Sequence, residues 1–524
     1  MPVPATSADP QAHLPSHRIA AIDVGSNAIR YLVAEIPGSG RCVTVSQERL
    51  AVRLGRDVFT RERRLSPETM DAGVSALTHI RRRLDDLGVT HYRAVATSAV
   101  RESRNGGAFV ERVRRESGIH LETISGSEEA RLVWVAVRER HQLGADHWFM
   151  VDLGGGSVEV SVAGPEGIVW TESHTLGSVR LLQAVEEDGA AEDGAHFYEI
   201  LERYVHALKA PRAAAEWEPA GTIATGGNIE SLASLADGRR GENGMCRLRP
   251  AELRAVIGEL AKLSVADRVE RLGLREDRAD VILPAAVVYE RIAELVGAEE
   301  ILVPGVGVKE GLLLDLADEL SDRRAHQDRV LEEVRAAAVT LGRRYRFDEV
   351  HGRQVARLSL TLFDQLQALH GLEPEDRVIL LAGAVLHDIG QFISYRGHHK
   401  HSMYLIQNSE LPELSPADLG LVALLARYHR RAEPSETHPG YRDLGATDQE
   451  RVRRLAAILR VADALDREHV CRVQEIRGQV AADAVTLRLR TRGRLTLEEW
   501  ALRKKGRLFD AVFHRPLRLE VEAG

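Results

Sequence analysis

The chain has 524 residues, of which 44% are hydrophobic and 28% are charged, as expected for a folded protein with more than one core. The net charge of −8 excludes a protein that is basic throughout, so a polyanionic ligand would have to be bound by local patches. No run approaches the roughly 18 apolar residues of a membrane span, and the three cysteines are too far apart for a disulfide framework or a zinc motif. We therefore expect a cytoplasmic protein with no membrane or nucleic-acid partner, in which the proline-rich residues 1–17 form a disordered lead-in.

The first predicted element is a β-hairpin, with strands at 19–24 and 29–36 joined by the turn Asp23-Val-Gly-Ser-Asn27. Glycine in such a turn allows positive φ and leaves backbone N–H groups unshielded, so that they can bind phosphate oxygens. The aspartate at the strand end can supply an oxygen ligand to Mg²⁺, which commonly bridges to substrate phosphates.

The same pattern returns twice further along the chain. Strands at 148–153 and 158–163 flank Asp152-Leu-Gly-Gly-Gly-Ser157, and the apolar stretch from Gly221 ends in Gly226-Gly227-Asn228 before a helix-like run, 229–236. A single loop of this kind is most often an ordinary tight turn. Three loops with the same flanks, two of them carrying an acid, favour phosphate binding instead.

The remaining pattern divides the chain. A helix is predicted around 67–87, a strand at 93–97 and an apolar run at 301–308. The strongly charged stretch 315–327 is typical of a linker or an exposed helix. Beyond about 328 the periodicity is helical, and β signals return only near 480–489.

Six segments occur in an order that resembles one family. They are Asp23–Arg30, Ala96-Thr-Ser-Ala-Val-Arg101, Ser125-Gly-Ser-Glu-Glu-Ala-Arg131, Asp152–Glu159, Leu176-Gly-Ser-Val-Arg180 and Gly221–Asn228. Together they resemble the exopolyphosphatase / guanosine pentaphosphatase (Ppx/GppA) family, a branch of the actin, Hsp70 and sugar-kinase superfamily, over residues 18 to 475.

The resemblance implies an α/β fold with two actin-like (ribonuclease H-like) domains, 18–140 and 141–320, that form a cleft. It also implies a helical HD-type domain at 325–478, followed by a small β-containing domain at 479–524.

The resemblance also implies roles for individual residues. Glu129 aligns with the family's catalytic glutamate, a general base; without the resemblance it would be interpreted as complementing the helix dipole after a capping box at Ser125–Glu128. Asp152 and Asp23 would bind Mg²⁺, or Mn²⁺ in its place. Glu159 would position water or metal, although it could also be an ordinary strand-face carboxylate, and Arg101 would bind the terminal phosphate. The expected phosphate-binding residues are Gly25, Ser26, Asn27, Arg30, Gly154, Gly155, Gly156, Ser157, Gly226, Gly227 and Asn228.

The helical half resembles an HD domain. His351, His387, Asp388 and Asp463 are expected either to bind a further divalent metal or to form a hydrogen-bonded core. Basic residues nearby are expected to form a polyanion channel, unless they are a solvated face: His398, His399, Lys400, His401, Arg430 and Arg431.

The function that the resemblance implies is a metal-dependent exopolyphosphatase, a homodimer that releases orthophosphate from the end of inorganic polyphosphate. Hydrolysis of guanosine pentaphosphate (pppGpp) to the tetraphosphate (ppGpp) is the close alternative, because the motifs bind phosphate and say nothing about a guanosine pocket. Two further readings are an HD-site nucleotide phosphohydrolase and a non-catalytic regulator that binds alarmones. The intact Glu129, Asp152 and Glu159 argue against both.

Overall fold

The computed structural model describes residues 17–36, 42–141, 143–187, 195–206, 208, 217–236, 238–241 and 245–522. Residues 1–16 of the predicted lead-in lie outside the described residues. The chain divides into two compact units, one formed by Met1–Pro165 and Thr171–Arg323 and the other by Glu166–Trp170 and Arg324–Gly524. Among the described helices, none is long and apolar enough to cross a membrane.

A sheet with the strand order β3-β2-β1-β4-β5 begins the first unit. Its strands within the described residues are β1 (His17–Val24), β2 (Ile29–Ile36), β3 (Val43–Leu50), β4 (His91–Ala96) and β5 (Leu121–Thr123). β1 pairs antiparallel with β2 and parallel with β4. The inner strand β1 is buried from Ile19 onward, since it is covered on both faces.

A second sheet repeats this arrangement, with the strand order β10-β11-β12-β9-β6-β7-β8. β6 pairs antiparallel with β7 and parallel with β9, as β1 does with β2 and β4. The strands are β6 (Trp148–Leu153), β7 (Val158–Gly164), β8 (Gly167–His174), β9 (Thr222–Thr225), β10 (Arg239–Arg240), β11 (Cys246–Leu248) and β12 (Ile301–Val303). The two predicted hairpins are therefore present, and they occupy equivalent places in two sheets.

Helices connect these strands, and each of the two longest begins with a side-chain cap. Ser66 caps Pro67–Asp86 by accepting from Thr69 N–H, and Ser125 caps Gly126–Arg140 by accepting from Glu128 N–H. The other described helices of this unit are Gly55–Val58, Ser98–Glu102, Gly106–Ser117, Ser178–Glu187, Ala195–His206, Gly227–Leu235, Pro250–Leu260, Val265–Leu272, Glu276–Ala279, Ile282–Leu295 and Val308–Ser321.

The charged stretch predicted as a linker or an exposed helix begins inside the first unit's core, which corrects that prediction. Asp315, in the helix Val308–Ser321, is 3% exposed; its carboxylate accepts from Arg131 at 3.1 Å and from Arg93 at 2.8 Å. Arg131 also donates twice to Glu128, at 2.8 and 2.9 Å. Buried charges of this kind are tolerated because they pair with one another, so charge in the sequence did not indicate exposure here.

The second unit is mainly helical and ends in a small sheet. Its described helices are Arg323–Arg344, Glu349–Gln365, Gln367–His370, Asp376–Leu386, the 3-10 helix Ile389–Phe392, His398–Gln407, Pro416–Tyr428, Ala446–Ala464, Thr496–Lys505 and Arg507–Phe513. The strands β13 (Val473–Val480), β14 (Val485–Thr491) and β15 (Leu517–Glu522) form the order β13-β14-β15. Val485, Leu487 and Phe509 belong to the same apolar core as the helices, so the stretch predicted as a separate small domain packs into the helical unit.

Candidate active site

Three buried carboxylates converge in the first unit. Glu129, Asp152 and Glu159 each offer an oxygen, and these oxygens lie within 4.8 Å of one another. Glu129 comes from the first turn of the helix Gly126–Arg140, Asp152 from the end of β6, and Glu159 from the facing position on β7. We call these three residues the acidic trio.

Burial raises the pKa of each member of the acidic trio, and a nearby carboxylate raises each one further. Burial raises the pKa of Asp152 to about 6 against the opposing hydrogen bond from Thr225, and burial together with Asp152 raises the pKa of Glu159 to about 7. Burial and then Glu159 raise the pKa of Glu129 well above its ordinary value, while Arg101 opposes this shift. A bound cation would relieve this repulsion.

Two oxygens of the acidic trio lack a hydrogen-bond partner. Oε2 of Glu129 and Oε2 of Glu159 are buried without one among the residues that the structure describes. The other Glu159 oxygen accepts from Ser173 Oγ at 3.0 Å, and Asp152 accepts from Thr225 Oγ1 at 2.7 Å. Oxygen donors with this spacing and these orphaned atoms fit a hard divalent cation such as Mg²⁺. Asp23, also predicted as a metal ligand, pairs with Arg30 at 2.9 Å.

The first two glycine loops have the same turn geometry and face each other. Gly25 N–H donates to Ala28 O and Gly154 N–H donates to Ser157 O, both at 3.0 Å. A Cβ on Gly155 would lie 3.0 Å from Cβ of Ser26, so this glycine permits the close approach of the two loops. Ser26 Oγ is 2.9 Å from Oγ of Ser98, which ties the first loop to the start of the helix Ser98–Glu102.

The third glycine loop closes the site from the side of β9. Gly226 has φ +104°, a conformation that glycine adopts without strain, and it leads into the helix that starts at Gly227. Asn228 accepts from Arg278 at 2.7 Å, and its amide donates to Ser178 Oγ at 3.3 Å. Tyr289 donates to the carbonyl of Thr225 at 2.6 Å.

Sequence reasoning missed Thr225, Arg278 and Tyr289. Thr225 lies inside the quoted motif Gly221–Asn228, and its position at a strand end was a usable signal. Arg278 and Tyr289 lie about 50 and 60 residues beyond that loop, and no local pattern marks them.

Two arginines near the site have different surroundings. Arg101 donates to the carbonyl of Ile124 at 2.7 Å and lies 3.9 Å from Glu129 Oε2, so it borders the acidic trio. Arg180 donates to both oxygens of Glu102 at 2.7 and 2.8 Å and to Gly156 O at 2.7 Å. Arg180 therefore holds the second loop in place.

A cavity of about 630 Å³ opens over these groups. Its floor includes Glu129, Asp152 and parts of all three glycine loops. Its lining also carries six cationic side chains: Arg30, Arg49, Arg140, Arg275, Arg278 and Lys309. This volume falls in the range of small-molecule sites, and the cations suit a ligand with several negative groups.

Two family models together match most of the chain. The model of the Ppx/GppA phosphatase family matches residues 32–320, and that of Ppx/GppA phosphatase, domain III, matches residues 334–505. The chain belongs to the Ppx/GppA phosphatase family. The predicted family and the predicted enzyme class, a hydrolase of phosphoanhydride bonds, are thereby confirmed.

Two curated relatives in this family carry the name guanosine-5'-triphosphate,3'-diphosphate pyrophosphatase. The one from Aeromonas hydrophila subsp. hydrophila is 28% identical over 460 residues, covering 84% of this chain and 86% of the relative. The one from Vibrio parahaemolyticus serotype O3:K6 is 29% identical over 455 residues, covering 83% and 85%. A solved exopolyphosphatase from Cytophaga hutchinsonii is 27% identical with a TM-score of 0.53, covering 58% of this chain and 98% of that one. The actin-like α/β fold of the family is therefore present.

Three of the four residues predicted to form the HD site lie close together in the second unit. His351, His387 and Asp463 lie within 4.8 Å of one another through one ligand atom each. His351 Nδ1 is 2.8 Å from Asp466 Oδ2, and its ring stacks on that of His469 at 3.6 Å between centroids. The ammonium of Lys505 contacts Asp463 directly, a partner that the sequence did not indicate.

The residues predicted to form a polyanion channel do not all lie on the surface. His398 is 3% exposed and its Nε2 lies 3.1 Å from Asp388 Oδ1, so it is not part of a surface patch. His399, His401 and Arg430 are half-buried, whereas Lys400 and Arg431 are exposed. The local run of basic residues failed as a guide because His398 begins a helix whose first turn is packed against the core.

Proposed function

We propose that this protein hydrolyses the terminal 5'-phosphoanhydride of guanosine 5'-triphosphate 3'-diphosphate and releases orthophosphate. The observation that supports a hydrolytic site most directly is the buried acidic trio beneath three glycine loops. The substrate is suggested by the names of the curated relatives and by the size of the cavity, whose six cations could meet phosphate groups at two ends of a nucleotide.

Different residues would bind the phosphoryl group and activate the water in an in-line attack. Loop amides and Arg101 would hold the terminal phosphoryl group. Glu129 would orient the water and accept its proton as the new P–O bond forms and the bond to the adjacent phosphate oxygen breaks. The raised pKa of Glu129 in its buried setting is appropriate for a base that must work near neutral pH.

Asp152 and Glu159 would hold Mg²⁺, or Mn²⁺ in its place, and such a cation would offset charge on the phosphate oxygens. Glu159 and Asp152 would keep the cation at the end of the β6–β7 hairpin. Ser173 and Thr225 would fix the orientation of these two carboxylates through the hydrogen bonds that they donate.

Inorganic polyphosphate is the second candidate substrate. The solved exopolyphosphatase shares the fold and 27% identity, and a phosphate chain would meet the same loops. We infer that the terminal phosphate of the polyphosphate chain would bind where the 5'-triphosphate of the nucleotide binds. The chain would not contact the part of the cavity around Arg275.

The test measures orthophosphate release with Mg²⁺ from both substrates and from tripolyphosphate. We expect the unmodified protein to act on the nucleotide with a higher kcat/KM than on tripolyphosphate, because tripolyphosphate lacks the guanosine and the 3'-diphosphate. Equal values for the two would show that only the phosphate chain is recognised. A higher kcat/KM on long polyphosphate would favour the second candidate.

Three variants test whether the reaction takes place at the acidic trio or in the second unit. Glu129→Gln should lower kcat by at least about 100-fold, the usual contribution of a general base. Glu139→Gln, on the exposed end of the same helix, should leave kcat unchanged. Asp388→Asn should retain activity; loss of activity in this variant alone would place the reaction in the second unit.

A further inference from the structure

The second unit contains a cluster of four metal-ligand side chains from three separate elements. His387 and Asp388 follow the helix Asp376–Leu386, His398 begins the helix His398–Gln407, and His429 follows the helix Pro416–Tyr428. The three histidines are at most 3% exposed, whereas Asp388 is partly exposed, with 17% of its side chain accessible. We call these four residues the histidine cluster.

Backbone carbonyls determine the tautomer of all three imidazoles. Nδ1 of His387 lies 2.7 Å from Ala384 O, and Nδ1 of His429 lies 2.7 Å from Ala426 O. Nδ1 of His398 lies 3.0 Å from Tyr395 O. A carbonyl oxygen only accepts hydrogen bonds, so each Nδ1 carries the hydrogen, and each Nε2 of the neutral ring presents a lone pair.

These lone pairs face one another. Nε2 of His398 is 3.3 Å from Nε2 of His429, and Asp388 Oδ1 is 3.1 Å from the former and 3.3 Å from the latter. His387 Nε2 and Asp388 Oδ1 are buried without a hydrogen-bond partner among the described residues. Electron-rich atoms held this close repel one another unless a cation lies between them.

The spacing is that of ligands around one transition-metal ion. Metal–nitrogen bonds of about 2.0–2.1 Å place neighbouring ligand atoms about 3.3 Å apart in a tetrahedron and about 3.0 Å apart in an octahedron. The three distances of 3.1–3.3 Å fall in that interval. His387 offers a fourth atom within 4.8 Å of those of Asp388 and His429.

The acidic group next to the histidine cluster is already paired with a cationic side chain of the protein. Lys505 contacts Asp463, and His351 is hydrogen-bonded to Asp466. Asp463 is thereby neutralised without a metal.

We propose that the second unit binds one transition-metal ion through His387, Asp388, His398 and His429, while Lys505 takes the place of a second cation at Asp463. Imidazole nitrogens with one carboxylate suit Zn²⁺, Co²⁺, Fe²⁺ or Mn²⁺. The partly exposed Asp388 leaves a route for the ion to enter. This ligand set differs from the predicted one, since it excludes His351 and Asp463, and it does not depend on the proposed function.

The test uses the full chain after treatment with a chelator, with Co²⁺ as the probe. We expect one Co²⁺ per chain to show the visible absorption of a nitrogen-ligated ion, which Zn²⁺ displaces and an excess of Mg²⁺ does not. The proposal would be overturned if the Co²⁺ titration gave no such absorption, or if elemental analysis after dialysis found less than one Zn²⁺ per chain. In that case a shared proton would be the cation between the rings.

Variants separate the ligands from their neighbours. His398→Gln and His429→Gln should each weaken Co²⁺ binding by at least about tenfold, whereas His351→Gln should retain one equivalent. Far-UV circular dichroism checks that each variant is folded. Binding that is lost in His351→Gln but kept in His398→Gln would contradict the ligand set.

Lys505→Ala tests the other half of the proposal. We expect a second Co²⁺ equivalent in this variant, because Asp463 loses its ammonium partner. An unmodified chain that takes up two nitrogen-ligated ions at once would show that Lys505 does not replace one.

Discussion

At the residue scale, the two β-hairpins of the first unit differ at one equivalent position. Arg30 faces Asp23 across the first hairpin, whereas Glu159 faces Asp152 across the second. The first aspartate is therefore neutralised by its ion pair at 2.9 Å, whereas burial, and then the charge of Asp23, raises the pKa of the second. This difference fits the proposed function, in which the second hairpin would receive a cation and the first would not.

The raised pKa of Glu159 predicts a pH dependence of stability in the metal-free protein. Its pKa rises from 4.5 to about 7 in the folded state, so between these values the folded chain holds a proton that the unfolded chain has lost. Stability should therefore fall as pH rises through this window. Each pKa unit corresponds to about 1.4 kcal/mol, so the effect is on the order of 3 kcal/mol.

Thermal unfolding in chelator at pH 5 and pH 8 measures this effect. Glu159→Gln cannot ionise, so its melting temperature should fall less between the two pH values than that of the unmodified protein. Glu139→Gln, an exposed change of the same kind, should follow the unmodified protein. Parallel curves for all three proteins would contradict the prediction.

At the scale of the elements, the helix that carries Glu129 is positioned by a second helix. Gly126–Arg140 packs against Val308–Ser321, and a Cβ on Gly311 would collide with the carbonyl oxygen of Leu132. The buried pair of Arg131 and Asp315 joins the same two helices at 3.1 Å. The backbone contact and the ion pair together fix the position of Glu129 relative to the glycine loops.

Gly311→Ala should force these helices apart. We expect a loss of about 1–3 kcal/mol in the free energy of unfolding, as for overpacked cores, and a lower kcat because Glu129 moves with its helix. Urea unfolding and phosphate release measure the two effects.

Gly258→Ala is the matched control for this change. Gly258 lies on the exposed side of the helix Pro250–Leu260, and a Cβ there would meet nothing within 4 Å. Alanine at this position should stabilise the protein by up to about 1 kcal/mol through helix propensity. Equal effects of the two substitutions would show that the packing at Gly311 is not tight.

At the scale of the whole molecule, the candidate active site is complete within the first unit. The acidic trio, all three glycine loops and the cavity lining lie between residues 23 and 310. A solved family member is matched over 98% of its own length by 58% of this chain, so a shorter chain can carry this fold.

A fragment of residues 17–323 should therefore fold cooperatively and hydrolyse the substrate of the full chain. We expect its kcat/KM to stay within about tenfold, a difference of about 1.4 kcal/mol in transition-state stabilisation. Circular dichroism and the phosphate assay are the measurements. A folded but inactive fragment would show that the second unit contributes directly to the reaction.

Local sequence patterns determined the elements that carry the site. The hairpins at 17–36 and 148–164, the helix Pro67–Asp86 and the helix start at Gly126 follow from alternating apolar residues, turn glycines and a capping serine. These signals act over a few residues, so the sequence by itself placed Glu129, Asp152 and Glu159 on the correct elements.

Only the tertiary structure decided which side chains meet. Arg278 and Tyr289 reach the third loop from distant helices, Asp315 enters the core, His398 turns inward and Lys505 contacts Asp463 from a helix about 40 residues further along. Such pairings depend on packing between remote segments, where a buried charge is stable once it finds a partner. Periodicity carries no information about that partner.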